Sequence, residues 1–221
     1  MKLLITAACV SLFTLQACNN GKTSTNESTK TDTVNNMNSN TGNANMKGMD
    51  NGLMSAMKPS MDQSEAMKMT GDFDYDFASM MIHHHQGAVD MAQVELSKGS
   101  DAQVKGWAQK IIDAQKAEII QFQEFTASNK SEIKNESAEQ HNEIHEAHEK
   151  MDKEMSGMAM TGKVDKDFVM MMKAHHQSAV AMAEDELSHG KKPEMKKMAQ
   201  KIIDDQKKEI NDFNEWLSKN M

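Results

Sequence analysis

The sequence predicts an all-α fold: a four-helix bundle assembled from two copies of one helical hairpin, with a further helix connecting them. Three observations predict it. Strand-like alternation is missing from the pattern, apolar residues recur at helical spacing, and the chain repeats itself with an offset of 91 residues. Phe77 matches Phe168, and the register holds without a gap from Asp74/Asp165 to Glu124/Glu215. "MMIHHHQGAVDMAQVELSKG" faces "MMKAHHQSAVAMAEDELSHG", and "AQKIIDAQKAEI" faces "AQKIIDDQKKEI". Four amphipathic helices hide their apolar stripes by packing against one another.

The N-terminal part stands apart from this bundle. Residues 1–17 carry a lysine, an apolar run and then small residues, the pattern of a secretory signal too short to span a membrane. Leu15-Gln16-Ala17-Cys18 looks like a bacterial lipobox, which implies cleavage before Cys18 and lipidation of its thiol. An acylated chain is anchored to a membrane without crossing it. Residues 18–71 are dominated by Asn, Thr, Ser, Lys and Gly, and predict a disordered tether in which methionines appear in pairs, such as Met46 and Met49 or Met54 and Met57.

The bundle is expected over residues 72–221, with repeat 1 at about 73–128, the connector helix at about 131–160 and repeat 2 at about 164–219. The first helix should run from about Asp74 to Lys98 and stop at Gly99; its copy stops at Gly190. Asp101 suits an N-cap for the second helix, and Pro193 suits the first turn of its copy. In the connector, His141, His145, His148, Met151, Met155 and Met158 fall three or four residues apart and so share one stripe, either further candidate metal ligands or the apolar seam that docks the connector.

Composition narrows the chemistry. The net charge is −8 and every basic residue is lysine, which argues against nucleic acid as a partner. The two cysteines, Cys9 and Cys18, lie outside the bundle, so it has neither a disulfide framework nor a thiolate site for zinc. Methionine is abundant, at 23 residues. No hydrolytic triad, phosphate-binding loop or dinucleotide fingerprint is found.

On a helical projection Met80, Met81, His84, His85 and Met91 share one broad face, and the copy supplies Met171, Met172, His175, His176 and Met182. His83 projects to the other side and is expected at the surface, where the second repeat has Ala174. Two readings of the four inward imidazoles stand at this point. They form a polar core network, with Gln115 and Gln206 as partners, or they are metal ligands. If they bind metal, the residue three before each histidine pair is Met81 or Met172, a thioether where di-iron bundles place a glutamate. Thioethers select Cu(I) and the similarly soft Ag(I), while imidazole also suits Cu(II).

"FASMMIHHHQGAVDMA" with "AQKIIDAQKAEI", and "FVMMMKAHHQSAVAMA" with "AQKIIDDQKKEI", resemble the Domain of Unknown Function 305 family over nearly everything after about Asp72. The resemblance implies a ferritin-like helical bundle. At least one member is a periplasmic protein that binds copper and supports copper resistance. The resemblance implies metal binding through Met80, Met81, His84, His85 and Met91 and through their copies. His83 departs from the family pattern, in which many members have proline there. The expectation is an extracytoplasmic, lipid-anchored protein that binds Cu(I) for sequestration, tolerance or hand-over to copper-handling partner proteins, without catalysis. The alternatives are a ferritin-like metal-dependent oxidoreductase, and a structural or interaction domain with a histidine–glutamine core.

Overall fold

The computed structural model describes residues 51–130 and 142–220, which form six helices and no strand. They are α1 (Leu53–Ala66), α2 (Phe73–Lys98), α3 (Ala102–Ser128), α4 (Asn142–Ser156), α5 (Val164–His189) and α6 (Pro193–Lys219). The signal segment, Cys18, most of the expected tether and His141 lie outside the described residues. None of the described helices is long and apolar enough to cross a membrane.

The expected hairpins are α2–α3 and α5–α6. They begin as the sequence suggests: the Asp101 carboxylate accepts hydrogen bonds from the Gln103 and Val104 amides, and Pro193 sits in the first turn of α6. The glycines after α2 and α5 serve a different purpose from the one expected. Gly99 and Gly190 are extended, with φ of −67° and −60°, so no left-handed cap is needed. A Cβ at either position would instead overlap the carboxyl of Glu95 or Glu186, which folds back over the end of its own helix.

The two hairpins run antiparallel and close each other's loops. Asp165, in the first turn of α5, accepts from the amides of Ser100 and Asp101 at 2.8 and 2.7 Å, in the loop between α2 and α3. Asp74, in the first turn of α2, accepts from the amides of Lys191 and Lys192 at 3.0 and 2.7 Å, in the loop between α5 and α6. Along the other side, Trp216 Nε1 reaches Asp101 and Lys201 pairs with Glu118, tying α6 to α3. Phe77 meets Phe122 edge to face at 5.7 Å inside the first hairpin, and both are fully buried, as are their copies Phe168 and Phe213.

The repeated unit is larger than a hairpin. The expected tether reached residue 71, but Leu53–Ala66 is the helix α1, packed on α2. Its buried side is Leu53, Met57, Ser60 and Ser64, an i, i+4, i+7, i+11 stripe that is half serine. Shifting α1 by 91 residues lands on α4, which packs on α5 in the same way. So α4 is a second copy of α1, and not an unpaired connector. The turns that follow agree: Asp76 accepts from the Thr70 amide and hydroxyl and from the Gly71 amide, and Asp167 does the same for Thr161 and Gly162. Both glycines have positive φ, 87° and 76°, which a side chain would strain. The described residues therefore form two three-helix units about an approximate twofold axis.

Candidate metal centre

That axis passes where α2 and α5 cross, and histidines meet there. The rings of His84 and His175 lie 3.7 Å apart centre to centre, tilted by 42°. His175 Nε2 donates to the main-chain oxygen of His84 at 2.9 Å, which leaves the lone pair on Nδ1. Neither nitrogen of His84 has a hydrogen-bond partner, nor has Nδ1 of His175, and both side chains are buried. Burial, then the neighbouring imidazoles, hold both residues well below the ordinary histidine pKa. Both are neutral at neutral pH, the form that binds metal.

His85 and His176 flank this pair, and each is oriented by a carboxylate. His85 Nε2 donates to Glu118 at 3.0 Å, and His176 Nε2 donates to Glu209 at 2.7 Å. In both rings Nδ1 is buried and without a partner. A carboxylate on the outer nitrogen fixes the tautomer and leaves the inner nitrogen as a donor, the usual environment of a metal-binding imidazole. Burial raises Glu118, but the N–H groups of His85 and Lys201 outweigh it and hold the carboxyl down at about 2. The glutamine partners expected from the pattern are not used: Gln115 and Gln206 are buried, but their Oε1 atoms accept no hydrogen bond. They line, with Glu118 and Glu209, a groove of about 160 Å³ between α3 and α6.

Thioethers surround the imidazoles. Met80, Met81, Met91, Met171, Met172 and Met182 are all fully buried. Because the helices are antiparallel, Met80 and Met81 share one apolar cluster with Met182, and Met91 shares another with Met171 and Met172. Each of the two clusters thus holds three of the thioethers expected from the sequence. Among the described residues, no three His, Cys, Asp or Glu side chains form a ready-made cation site. Further ligands for an ion at the imidazole pair are available from these methionines and from Nδ1 of His85 and His176.

The connector residues divide. His148 is buried, with its ring 6.0 Å from that of His84, and its Nδ1 lies 3.4 Å from Asp152. Burial, reinforced by His145, lowers His148 to about 4. Met151 and Met155 are buried in the cluster that holds Met91, while His145 and Met158 are only half-buried. His83, expected at the surface, is half-buried, and that burial lowers its pKa.

Glu118 and Glu209 went unnoticed in the sequence, although a signal exists: each lies 33 residues after its histidine. Met57, expected in the tether, is buried beside the centre. Both its Cγ and His175 Nε2 lie within 4 Å of the point where a Gly87 side chain would begin. A side chain there would press on Met57, whereas the equivalent Ser178 of the second repeat donates to the main-chain oxygen of Ala147 in α4.

The comparisons fit this arrangement. The family profile described as Domain of unknown function (DUF305) matches residues 15–126 and again 125–217. No curated protein matches. Among solved structures, CopM in the Cu(II)-bound form is 29% identical with a TM-score of 0.53, covering 70% of this chain and all of that one. CopM in the Cu(I)-bound form is 28% identical with a TM-score of 0.50, covering 66% and 96%. A DUF305 fragment from Deinococcus radiodurans, 23% identical with a TM-score of 0.52, covers 69% and 99% and shares the fold. With two matches that together take in nearly its whole length, the chain belongs to the DUF305 family.

Proposed function

We propose that this protein binds copper at the α2–α5 crossing, as Cu(I) in preference to Cu(II), with Ag(I) as a competitor. The observation that carries the proposal is the contact between His84 and His175, three of whose four buried ring nitrogens have no protein partner. Leaving such groups unpaired costs about 1–3 kcal/mol each. A metal removes that cost, and the surrounding thioethers select a soft one. CopM, whose fold and sequence this chain shares in part, binds Cu(I), Cu(II) and silver.

We further propose that copper is cargo here, for sequestration or hand-over, and that the protein is not an enzyme. Glu118 and Glu209 engage the outer nitrogens of His85 and His176, the place of an orienting group and not of a bridging iron ligand. The proposed location is extracytoplasmic, with the chain anchored to a membrane through lipidated Cys18. That part rests on the N-terminal sequence alone.

The test is a Cu(I) and Cu(II) titration of the wild type and of a variant with His84, His85, His175 and His176 all changed to glutamine. Loss of binding in the variant with helical content retained is expected. Equal binding by both proteins would make the histidines core residues and nothing more. Oxygen consumption with Fe(II) by the wild type would favour an oxidoreductase.

A further inference from the structure

The two short helices α1 and α4 cover the same histidine pair with different chemistry. At the shift of 91 residues, Met54, Met57 and Met61 of α1 correspond to His145, His148 and Asp152 of α4. Their burial corresponds too. Met57 and His148 are buried at 1% and 4% exposure, and Met54, Met61, His145 and Asp152 are all half-buried. In each stripe the middle residue is the buried one, and it faces the histidine layer: Met57 Cγ and His175 Nε2 both approach the Gly87 position, and the His148 ring lies 6.0 Å from that of His84. His84 has two buried nitrogens with no partner, so the centre can accept from either side.

We propose that the centre has two chemically distinct entrances, a thioether stripe on α1 (Met54, Met57, Met61) that admits Cu(I) and an imidazole–carboxylate stripe on α4 (His145, His148, Asp152) that admits Cu(II). The inference rests on the proposed copper site and adds the route by which each oxidation state reaches it. Three thioethers in line offer only soft donors, which suit Cu(I) and discriminate against the harder Cu(II). Two imidazoles and a carboxylate offer the nitrogen and oxygen donors that suit Cu(II). No electron is transferred by either stripe; each passes the ion in the state in which it arrives. Nothing in the twofold arrangement requires the difference, since Leu53 and Ile144 show that the same seat accepts matched apolar residues.

The experiment uses the full chain and two triple variants, M54L/M57L/M61L and H145Q/H148Q/D152N. Ag(I), which does not change oxidation state, stands for Cu(I), and Cu(II) is titrated separately. The methionine variant should lose about tenfold or more in Ag(I) affinity or uptake rate while Cu(II) changes by less than about twofold; the α4 variant should do the reverse. The Cu(II) EPR spectrum of the loaded protein should keep its nitrogen couplings in both variants, because neither alters the central imidazoles; their loss in the α4 variant would make α4 the site itself and overturn its role as an entrance. If both variants move both ions alike, or neither moves either, the two-entrance proposal is overturned while the central site stands. If the wild type binds neither ion, the central site fails and the entrances fail with it. Leucine preserves the volume of methionine, and circular dichroism shows whether each variant keeps its helices.

Discussion

The long hairpins and the short cap helices obey the same shift of 91 residues, yet only the hairpins carry matching side chains. His84 and His175, His85 and His176, Glu118 and Glu209, Phe77 and Phe168 are identical pairs, whereas α1 and α4 share Ala56/Ala147 and the similar Leu53/Ile144 and little else. The difference follows from where each element lies. Residues at the twofold axis face their own copies, so a change in one is felt by the other. A cap rests on its own repeat and needs only a stripe that fits. Where α1 buries Ser60 and Ser64, α4 buries Met151 and Met155.

Truncations at the hairpin core should break the molecule most. Phe77→Ala and Phe168→Ala should each cost about 3–5 kcal/mol in denaturant unfolding, and by similar amounts, because the two sites are near copies. Leu53→Ala and Ile144→Ala should cost about 2–3 kcal/mol, at the low end for such changes, since a short outer helix can shift to fill the space. Comparable losses at all four sites would show that the caps belong to the cooperative core.

Next in size is the turn before each long helix. Asp76→Ala leaves the Thr70 and Gly71 donors without an acceptor and should cost about 1–3 kcal/mol, as should Asp167→Ala. A cost at Asp167 clearly below that at Asp76 would show that the exposed Thr161 turn finds water instead.

A smaller effect should appear in the pH dependence. Burial, then the adjacent Asp165, raise Glu95 to about 8; burial, then Asp74, raise Glu186 to about 9. Asp165, raised by burial but held down more strongly by the amides and hydroxyl it accepts from, stays below its ordinary value and so keeps its negative charge near Glu95. The unfolded chain releases these protons near 4.5, so the folded state holds more of them across the interval. Their stabilisation is complete below that point and is lost as pH rises through about 8 and then 9. Melting temperature should therefore fall between pH of about 5 and about 9.5, and the E95Q/E186Q variant, which keeps an N–H donor, should flatten that fall. Parallel slopes for wild type and variant would show that protonation of Glu95 and Glu186 does not set the pH dependence. The smallest change expected is Met57→Leu, under about 1.5 kcal/mol in stability.

Much of this was legible in the sequence. The all-α class, the duplication, the hairpins, the inward histidine pairs and the Asp101 and Pro193 helix starts follow from periodicity and self-similarity. Helix α1 did not, for a physical reason: its buried stripe is half serine, Pro59 lies within it, and asparagine and glycine precede it. An apolar-periodicity test is blind to such a helix. Glutamine was expected to partner histidine because Gln115 and Gln206 lie on the buried face, but the carboxylates one turn further on reach the rings. The choice depended on the crossing of helices, which the pattern within one helix does not contain.

The reciprocal closing of loops has a consequence for assembly. Asp74 of one unit holds the loop of the other, and Asp165 returns the contact. Each three-helix unit thus carries both the clamp and the loop that a second copy of itself would need. Two separate half-length chains could build the same histidine crossing, but only above the concentration at which they dimerise. Joined in one polypeptide, the halves meet at a high effective concentration that dilution does not lower. A centre made at the meeting of two units then exists in every molecule, however scarce the protein.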